Sequence, residues 1–457
     1  MKKMLFVVIL FSLTMHIYAN DSWPKLDLQT WEKMTVDNLT EYLKENDVSA
    51  KDKNGNTPLM YASKVSRVQI IRTLIKEGVD INYENKFEST SLMIAAMSNK
   101  KPEVIDLLLN LGADFLKKNQ FGMTPLMYAI TDNKNPEIIK LLLDAGSKIN
   151  DRNNDGYTPL MFASIYRTDP DIIQLLIDNG ANVTDRLENG TTSLMLAILN
   201  NDEIGIVKAL LESGANISAR NNDGDTPLML AASKTDNPNL ISLLIDSGAD
   251  ISARNADDYT ALMVAAEYNQ NVEIAKLLIK KGADVNAYEK FTRETSLYWA
   301  VYNENYDLII TLLEAGADVS SAVVMPGIPL LVTAVRSTND PKIIQTLLDN
   351  GVRISLGDYH NYTPLIVAAR STDSPKIINI LLHNGANLSK KADNGNTALL
   401  EAVKHNSNTS VVETLLSAGA DPSVTNKEGK NAWELIQENE DLKNTDIYWK
   451  LNDMRFE

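Results

Sequence analysis

The stretch Asp155 to Ala181, which reads DGYTPLMFASIYRTDPDIIQLLIDNGA, predicts two consecutive helices. Thr158 is a good helix cap because its hydroxyl can accept a hydrogen bond from an orphan N–H of the first turn. Pro159 then falls at the first helical position, where its missing N–H costs nothing. After Pro170 the apolar residues recur on one helical face, and Gly180 is typical of the left-handed conformation that ends a helix.

The same pattern returns along most of the chain at intervals of 33 to 35 residues. The capping threonine recurs at Thr57, Thr90, Thr124, Thr158, Thr192, Thr226, Thr260, Thr295, Thr363 and Thr397. Ile328 and Asn431 are assigned to the same phase without the threonine. A period this regular predicts an array of repeats in which each repeat packs mainly on its neighbours.

Tight-turn dipeptides precede the capping threonine in many repeats, as at Asn54-Gly55 and Asp223-Gly224. The second helix of several repeats starts at its own cap and proline, as at Asn135-Pro136. Each repeat is therefore predicted to contain a turn, a first helix, a second helix and an extended arm.

The period and the motifs Thr-Pro-Leu, Leu-Leu-x-x-Gly-Ala and Asn/Asp-Gly-x-Thr resemble the ankyrin repeat over about residues 50 to 430. The resemblance implies an all-α solenoid of stacked helix-turn-helix units with short β-hairpin fingers. It also implies a protein-binding function on the concave face that the fingers and first helices form. The family's usual Gly between the helices is replaced here by a longer Asn/Asp-x-Pro link.

The family usually carries His after Thr-Pro-Leu, whereas this chain carries Met there, which predicts soft apolar packing in place of hydrogen bonding between repeats. These methionines are Met60, Met93, Met127, Met161, Met195, Met229 and Met263.

The two ends of the chain depart from the repeat. Residues 1–19 have a basic start and an apolar run from Met4 to Met15 that is too short to span a bilayer. This layout is typical of a bacterial secretory signal peptide, and we expect cleavage after Ala19 and a periplasmic or extracellular protein. The alternative is an uncleaved anchor or a buried helix. Residues 20–52 are predicted as an N-terminal capping segment, 53–430 as an array of about 11 repeats, and 431–457 as C-terminal capping helices.

Composition argues against several functions. The formal net charge of -16 disfavours nucleic acid and anionic membrane surfaces as partners. The chain has no cysteine, which excludes disulfides and thiolate chemistry. Phosphate-binding loops, nucleophile elbows and HExxH are also missing from the sequence, and His360 and His405 alone would make a weak metal site. We therefore expect no catalytic, cofactor-binding or metal-binding residues, and a chain that is not an enzyme.

Function is instead expected at the positions around the capping threonine that the repeat leaves free to vary. These lie about three and one residues before the threonine and seven or eight after it, where aromatic and acidic residues collect. Tyr and Phe at exposed positions are favoured interface anchors, and carboxylates around them favour a partner protein with basic and apolar surface. The candidate contacts are Phe121, Met123, Asp155, Tyr157, Ile165, Tyr166, Asp223, Asp225, Asp257, Tyr259, Glu267, Tyr268, Phe291, Tyr302, His360 and Tyr362, with Glu294 in the acidic rim.

Three alternatives stay open at this point. The rings could pack one finger against the next rather than form a groove from about the third to the tenth repeat. The protein could also be a secreted effector that binds a host protein, or a structural scaffold without a specific groove ligand. The irregular segment around Met325–Pro329 could be a degenerate repeat, a hinge or a reshaped finger.

Overall fold

The computed structural model describes residues 28–45, 47–166, 169–200, 204–320, 323–324 and 328–454. The predicted signal peptide and its cleavage site at Ala19 lie outside these residues, as do Met325, Pro326 and Gly327. The chain divides into two compact units, residues 1–216 and 217–457, called the N-terminal and C-terminal units below.

The described part of the N-terminal unit contains five helix pairs preceded by two helices, Leu28–Lys33 and Val36–Glu45. The first helices of the pairs are Pro58–Lys64, Ser91–Ser98, Pro125–Tyr128, Pro159–Ile165 and Ser193–Asn200. The second helices are Val68–Lys76, Pro102–Asn110, Pro136–Asp144, Pro170–Asp178 and Ile204–Glu212. A π-helical turn, Ala129–Asn133, extends the first helix of the third pair, Pro125–Tyr128.

The described part of the C-terminal unit contains six helix pairs and then Ala432–Ile436 and Asp446–Asp453. Its first helices are Pro227–Lys234, Ala261–Tyr268, Ser296–Tyr302, Leu330–Ser337, Pro364–Ser371 and Ala398–His405. Its second helices are Pro238–Asp246, Val272–Lys280, Tyr306–Glu314, Pro341–Asp349, Pro375–His383 and Thr409–Ser417. Strands Val323–Val324 and Ile328–Pro329 pair antiparallel as a short hairpin.

The helix starts predicted at the capping threonines are confirmed. Thr158 and Thr226 each accept a hydrogen bond on the side-chain oxygen from the N–H of a methionine three residues later, Met161 and Met229, at 3.3 Å. Those methionines are 0% and 1% exposed, so the residue type that replaces the family's histidine lies in the core. First helices pack on first helices and second helices on second helices along each unit, as the repeat predicts.

From the methionines we expected soft packing to replace hydrogen bonding between repeats. The structure shows that hydrogen bonds also link them. An asparagine just after several first helices donates its amide to two carbonyls of the preceding repeat. Asn269 Nδ2 lies 3.0 Å from Ala232 O and 2.8 Å from Thr235 O. Asn406 repeats the arrangement with Ala369 O at 2.9 Å and Thr372 O at 3.0 Å. This buried side chain satisfies carbonyls at a helix end that would otherwise lack partners.

The assignment of Ile328 to the capping phase is wrong. The helix Leu330–Ser337 is capped by Pro329, which supplies no side-chain hydrogen bond. Ile328 lies instead in the hairpin strand, where it pairs with Val324. Pro329 is 34 residues from both Thr295 and Thr363, so the irregular finger keeps the register of the array. Asn431 does cap its helix, through a capping box with Glu434.

Helices also lie before the first helix pair and after the last one. Trp31 is fully buried and stacks on Tyr61 of the first helix pair, with ring centroids 6.1 Å apart. After the last pair, the rings of Trp433 and Tyr448 pack between the last two helices, with their centroids 4.9 Å apart. Among the described helices, none is both long and apolar enough to cross a membrane.

Candidate protein-binding surface

Several of the described fingers are held by a side chain at the base, which fixes the residues that precede the capping threonine. Asn153 Oδ1 accepts from the N–H of Asp155 at 3.1 Å and of Tyr157 at 2.8 Å. Asn255 Oδ1 does the same for Asp257 at 3.1 Å and Tyr259 at 2.9 Å. The candidate side chains are therefore presented by a rigid turn and not by a loose loop.

Neighbouring fingers are joined by backbone hydrogen bonds. The N–H of Asn154 donates to Phe121 O at 3.1 Å, and the N–H of Ala256 donates to Asp223 O at 2.9 Å. The residue three before the cap uses its backbone in this ladder and projects its side chain outward. Phe121 is 40% exposed, and Asp155, Asp223 and Asp257 are exposed as expected.

In the N-terminal unit the candidate rings mostly pack on the protein itself. Tyr157 stacks on Phe162 at 5.4 Å, and Phe162 lies 6.3 Å from Tyr166. Both tyrosines are half-buried against a cluster of Met161, Ile165, Leu187 and Leu196. Burial raises the pKa of both hydroxyls. Here the alternative that the rings pack finger against finger has direct support.

Two candidates in this unit are not exposed, which corrects the sequence-based expectation. Met123 is 2% exposed because the next finger covers it, with Asn153 Nδ2 4.0 Å from its sulfur. Ile165 is 7% exposed because it belongs to the cluster under the tyrosines. Neither side chain is available for a large partner contact.

A pocket of about 90 Å³ opens between first helices of the N-terminal unit. Its lining includes Tyr61, Lys64, Met97 and Tyr128. A space of this size holds a few water molecules or one side chain. In the part of the chain that the structure describes, no group of three or more His, Cys, Asp and Glu side chains could hold a metal ion.

The C-terminal unit contains a different surface, built on an aromatic cluster. The Tyr259 ring lies 6.5 Å from that of Trp299, which makes edge contacts with Tyr298 at 5.4 Å and Tyr302 at 5.6 Å. Tyr302 is 53% exposed, and Tyr268, on the preceding first helix, is 50% exposed. These rings lie on the first helices and fingers, the face on which the candidates were expected.

Sequence reasoning missed Tyr298 and Trp299. They occupy positions three and four after the cap, where other repeats of this unit carry residues such as Met263 and Val264 that are buried. Both rings are half-exposed in the structure. Two aromatic residues in place of the usual core pair were the available signal.

Carboxylates surround the aromatic cluster. Glu294 Oε2 accepts the Tyr259 hydroxyl at 2.6 Å, and Asp225 Oδ1 accepts the Asn255 amide at 2.8 Å. Burial raises the pKa of Asp225 and of Glu267, and the neighbouring negative charges of Asp257 add to both shifts. The acidic side chains are close enough to destabilise one another's ionised forms.

These carboxylates have no cationic partner among the described residues. None of Asp225, Asp257, Glu267 and Glu294 forms an ion pair there, whereas Asp246 and Glu273 in the same unit pair with Lys281 and Lys276 at 2.6 and 2.7 Å. We call this surface the acid–aromatic patch. It consists of Asp225, Asp257, Tyr259, Glu267, Tyr268, Glu294, Tyr298, Trp299 and Tyr302.

The remaining candidates lie on other fingers. Phe291 is 72% exposed at a finger whose turn is held by Glu289. His360 is exposed; its ring is tilted against that of Tyr359 with centroids 4.3 Å apart, and its Nδ1 lies 4.0 Å from Asp393 Oδ2. Tyr362 is half-buried, and its hydroxyl donates to Glu401 at 2.9 Å.

Comparison with known families agrees with this architecture. The family model for ankyrin repeats (3 copies) matches residues 33–85, 92–187, 166–255, 229–322 and 331–426. These matches cover well over half of the chain, which belongs to the ankyrin-repeat family. A search of curated proteins gave no match. Ankyrin repeats are generally protein–protein interaction modules, and the family is typically non-catalytic.

Proposed function

We propose that this chain is a non-catalytic binding protein, and that the acid–aromatic patch of the C-terminal unit holds a partner protein with basic and apolar surface. The observation that carries the proposal is the set of carboxylates around half-exposed rings that have no cationic partner among the residues that the structure describes. A lysine or arginine of a partner would relieve the repulsion among the carboxylates and lie against aromatic faces.

The rigidity of the surface supports the same proposal. Finger turns are fixed by Asn255, and the Tyr259 ring is tied to the next repeat through Glu294. Little ordering entropy is then lost on binding, which favours affinity. Tyrosine and tryptophan also contribute large contact area with few rotatable bonds.

The test is affinity capture from the native organism with a triple variant, Tyr268→Ala, Tyr302→Ala and Glu267→Gln. We expect the variant to lose the partner that the unmodified chain retains, with unchanged helical content by circular dichroism. A matched control removes three exposed side chains from second helices, Lys276→Ala, Lys342→Ala and Lys376→Ala. If the unmodified chain, the triple variant and the control variant all captured the partner equally well, the patch would not be its binding site.

We also propose that the protein is exported, with residues 1–19 removed. Support comes from the basic start and short apolar run of the sequence. Mass spectrometry of the protein isolated from its own organism should find Asn20 as the first residue. A mature protein that begins at Met1 would contradict export through a cleaved signal, and fractionation would separate periplasmic retention from release into the medium.

A further inference from the structure

The position seven residues after the helix cap changes its chemistry along the C-terminal unit. In two repeats it holds Glu267 and Tyr302 of the acid–aromatic patch, and in the next three it holds Arg336, Arg370 and Lys404. The first helices that carry these residues pack side by side in chain order. The five side chains therefore form one row on one face, acidic and aromatic at its start and basic at its end.

The first arginine of the basic part is anchored to a buried carboxylate. Arg336 Nη2 lies 2.6 Å from Asp358 Oδ2, and the Asp358 side chain is 2% exposed whereas that of Arg336 is 42% exposed. Asp358 also accepts from the N–H of His360 at 2.9 Å and of Tyr362 at 3.0 Å. The finger thus holds the carboxylate, and the carboxylate holds the guanidinium at the surface.

The second arginine is anchored in the same way. Arg370 Nη1 lies 3.4 Å from Glu401 Oε2; the Glu401 side chain is 0% exposed and that of Arg370 is 47% exposed. Glu401 also accepts from Tyr362, Asn394 and Asn396 at 2.9, 2.9 and 2.7 Å.

Glu401 replaces an apolar residue. The equivalent positions of the preceding and following repeats carry Val367 and Leu435, which are buried. A buried carboxylate is costly unless it is paired and hydrogen-bonded, so its presence calls for a role. In this structure Glu401 holds the half-exposed Arg370 and accepts the hydroxyl of the half-buried Tyr362, and His405 Nε2 also lies 3.7 Å from its Oε2.

On this basis, and resting on the proposed function of the acid–aromatic patch, we propose that one partner segment of mixed charge binds along the row. Its basic residues face the acid–aromatic patch, and its acidic residues face Arg336, Arg370 and Lys404. An arginine already held in place loses little side-chain entropy when it binds a second carboxylate, and its planar fork suits that group.

The spacing of the row sets the length of the segment. Packed helices lie about 10 Å apart, so four steps span about 40 Å. An extended peptide advances about 3.3 Å per residue, so about 12 residues cover the row, with acidic residues about every third position. A partner segment that is basic throughout would bring no carboxylate to the three cations of the row and would place its own positive charges beside them.

The test uses fluorescein-labelled peptides of about 16 residues and fluorescence anisotropy with the full chain. The first peptide joins a Lys/Tyr half to a half with Glu at every third position. The second keeps the Lys/Tyr half and has a Gly/Ser half, and each is made in both orders of its halves. We expect the mixed-charge peptide to bind at least about tenfold more tightly than the basic–neutral one.

The variant Arg336→Gln with Arg370→Gln should remove that gain, so that the mixed-charge and basic–neutral peptides bind it with equal affinity. Arg336→Lys with Arg370→Lys keeps the charge and should retain part of the gain, which covers the case in which the glutamine variant unfolds. Arg72→Gln with Arg353→Gln, which removes two arginines elsewhere, should behave like the unmodified chain.

Equal affinity for the two peptides, a gain that survives in the glutamine variant, or an undiminished gain in the lysine variant would overturn this inference. The failure of the proposed function looks different. In that case the basic–neutral peptide would not bind, or the double variant Tyr268→Ala with Tyr302→Ala would bind it with the same affinity as the unmodified chain.

Discussion

The hydroxyl of Tyr259 donates a 2.6 Å hydrogen bond to Oε2 of Glu294, which belongs to the finger of the next repeat. Burial, and then the bond to this carboxylate, raises the pKa of Tyr259, so the hydroxyl stays protonated and acts as the donor. The contact joins two repeats at the centre of the acid–aromatic patch. It couples the stability of the C-terminal unit to the geometry of its candidate binding surface.

Replacing Tyr259 by Phe removes this hydrogen bond and keeps the ring. Glu294 then loses a partner in a half-buried setting, and we expect the free energy of unfolding to fall by about 1 kcal/mol. Urea unfolding followed by circular dichroism measures the change. Tyr302→Phe is the control, since that ring is 53% exposed and its hydroxyl can bond to water. A loss as large for Tyr302→Phe would contradict the role given to the Tyr259–Glu294 contact.

Replacing Glu267 by Gln should stabilise the protein at neutral pH. Burial, with the charges of Glu294 and Asp257, raises the folded-state pKa of Glu267 above its unfolded value. The ionised form is therefore disfavoured by folding, and this cost is present at neutral pH and disappears as pH falls through the raised folded pKa. With solvent screening of a half-exposed group, we expect a gain of roughly 0.5 kcal/mol.

Thermal melts of Glu267→Gln at pH 7 and at pH 4 test this, because the gain should shrink at the lower pH. Glu273→Gln serves as the control; that carboxylate pairs with Lys276 at 2.7 Å, and no gain is expected. A destabilised Glu267→Gln at neutral pH would show that the carboxylates of the patch do not oppose one another.

Glu401 should make the C-terminal unit sensitive to acid. Burial raises its pKa, but hydrogen bonds from Asn396, Asn394 and Tyr362 and the Arg370 charge together hold it below the ordinary value. A carboxyl whose folded pKa is lowered contributes stability above its unfolded pKa of about 4.3 and loses it as pH falls toward the folded value.

The variant Glu401→Gln should be about 2 kcal/mol less stable at pH 7, less than for a fully buried pair because Arg370 is half-exposed. This difference should narrow as pH falls below the unfolded pKa of about 4.3 toward the lowered folded pKa of Glu401. Unfolding midpoints across pH 3 to 7 provide the measurement. The exposed Glu413 of the same repeat is the control position. A difference that stays constant with pH would mean that ionised Glu401 does not stabilise the fold.

Replacing Asn269 by Ala removes both amide bonds to the preceding repeat and leaves the carbonyls of Ala232 and Thr235 without these partners. We expect a loss of about 2 kcal/mol, the scale of unsatisfied buried polar groups. The adjacent Gln270 is exposed, so Gln270→Ala should change stability by less than about 0.5 kcal/mol. Similar losses in both variants would contradict the bridging role of Asn269.

The fold could be predicted from the sequence because its signals are local and repeated. The Thr158 cap, the proline after it and the stop at Gly180 each act within one turn of helix, and the 34-residue period then multiplies them. The error at Ile328 has the same origin. Where a finger loses its turn dipeptide and its threonine, the local signal no longer distinguishes Ile328 from Pro329, and only the strand pairing with Val324 settles the phase.

The candidate surface could be predicted only in part, because exposure depends on the neighbouring repeats. Met123 and Ile165 occupy the variable positions, yet the next finger covers one and the cluster beneath the tyrosines includes the other. Trp299 occupies a core phase, yet is half-exposed. The sequence shows that Arg336 and Arg370 occupy one of the variable positions. Their buried carboxylate partners lie 22 and 31 residues further along the chain, so these contacts can be recognised only in the folded structure.

Site-specific photo-crosslinking in the native organism tests the central claim most directly. A photoreactive amino acid is placed at Tyr302 in the acid–aromatic patch or, as the control, at the exposed Lys376 of a second helix. We predict a discrete crosslinked partner protein at Tyr302 that is lost when Glu267→Gln and Tyr268→Ala are added, and none at Lys376. Crosslinking at Lys376 with none at Tyr302 would contradict the assignment of binding to this patch.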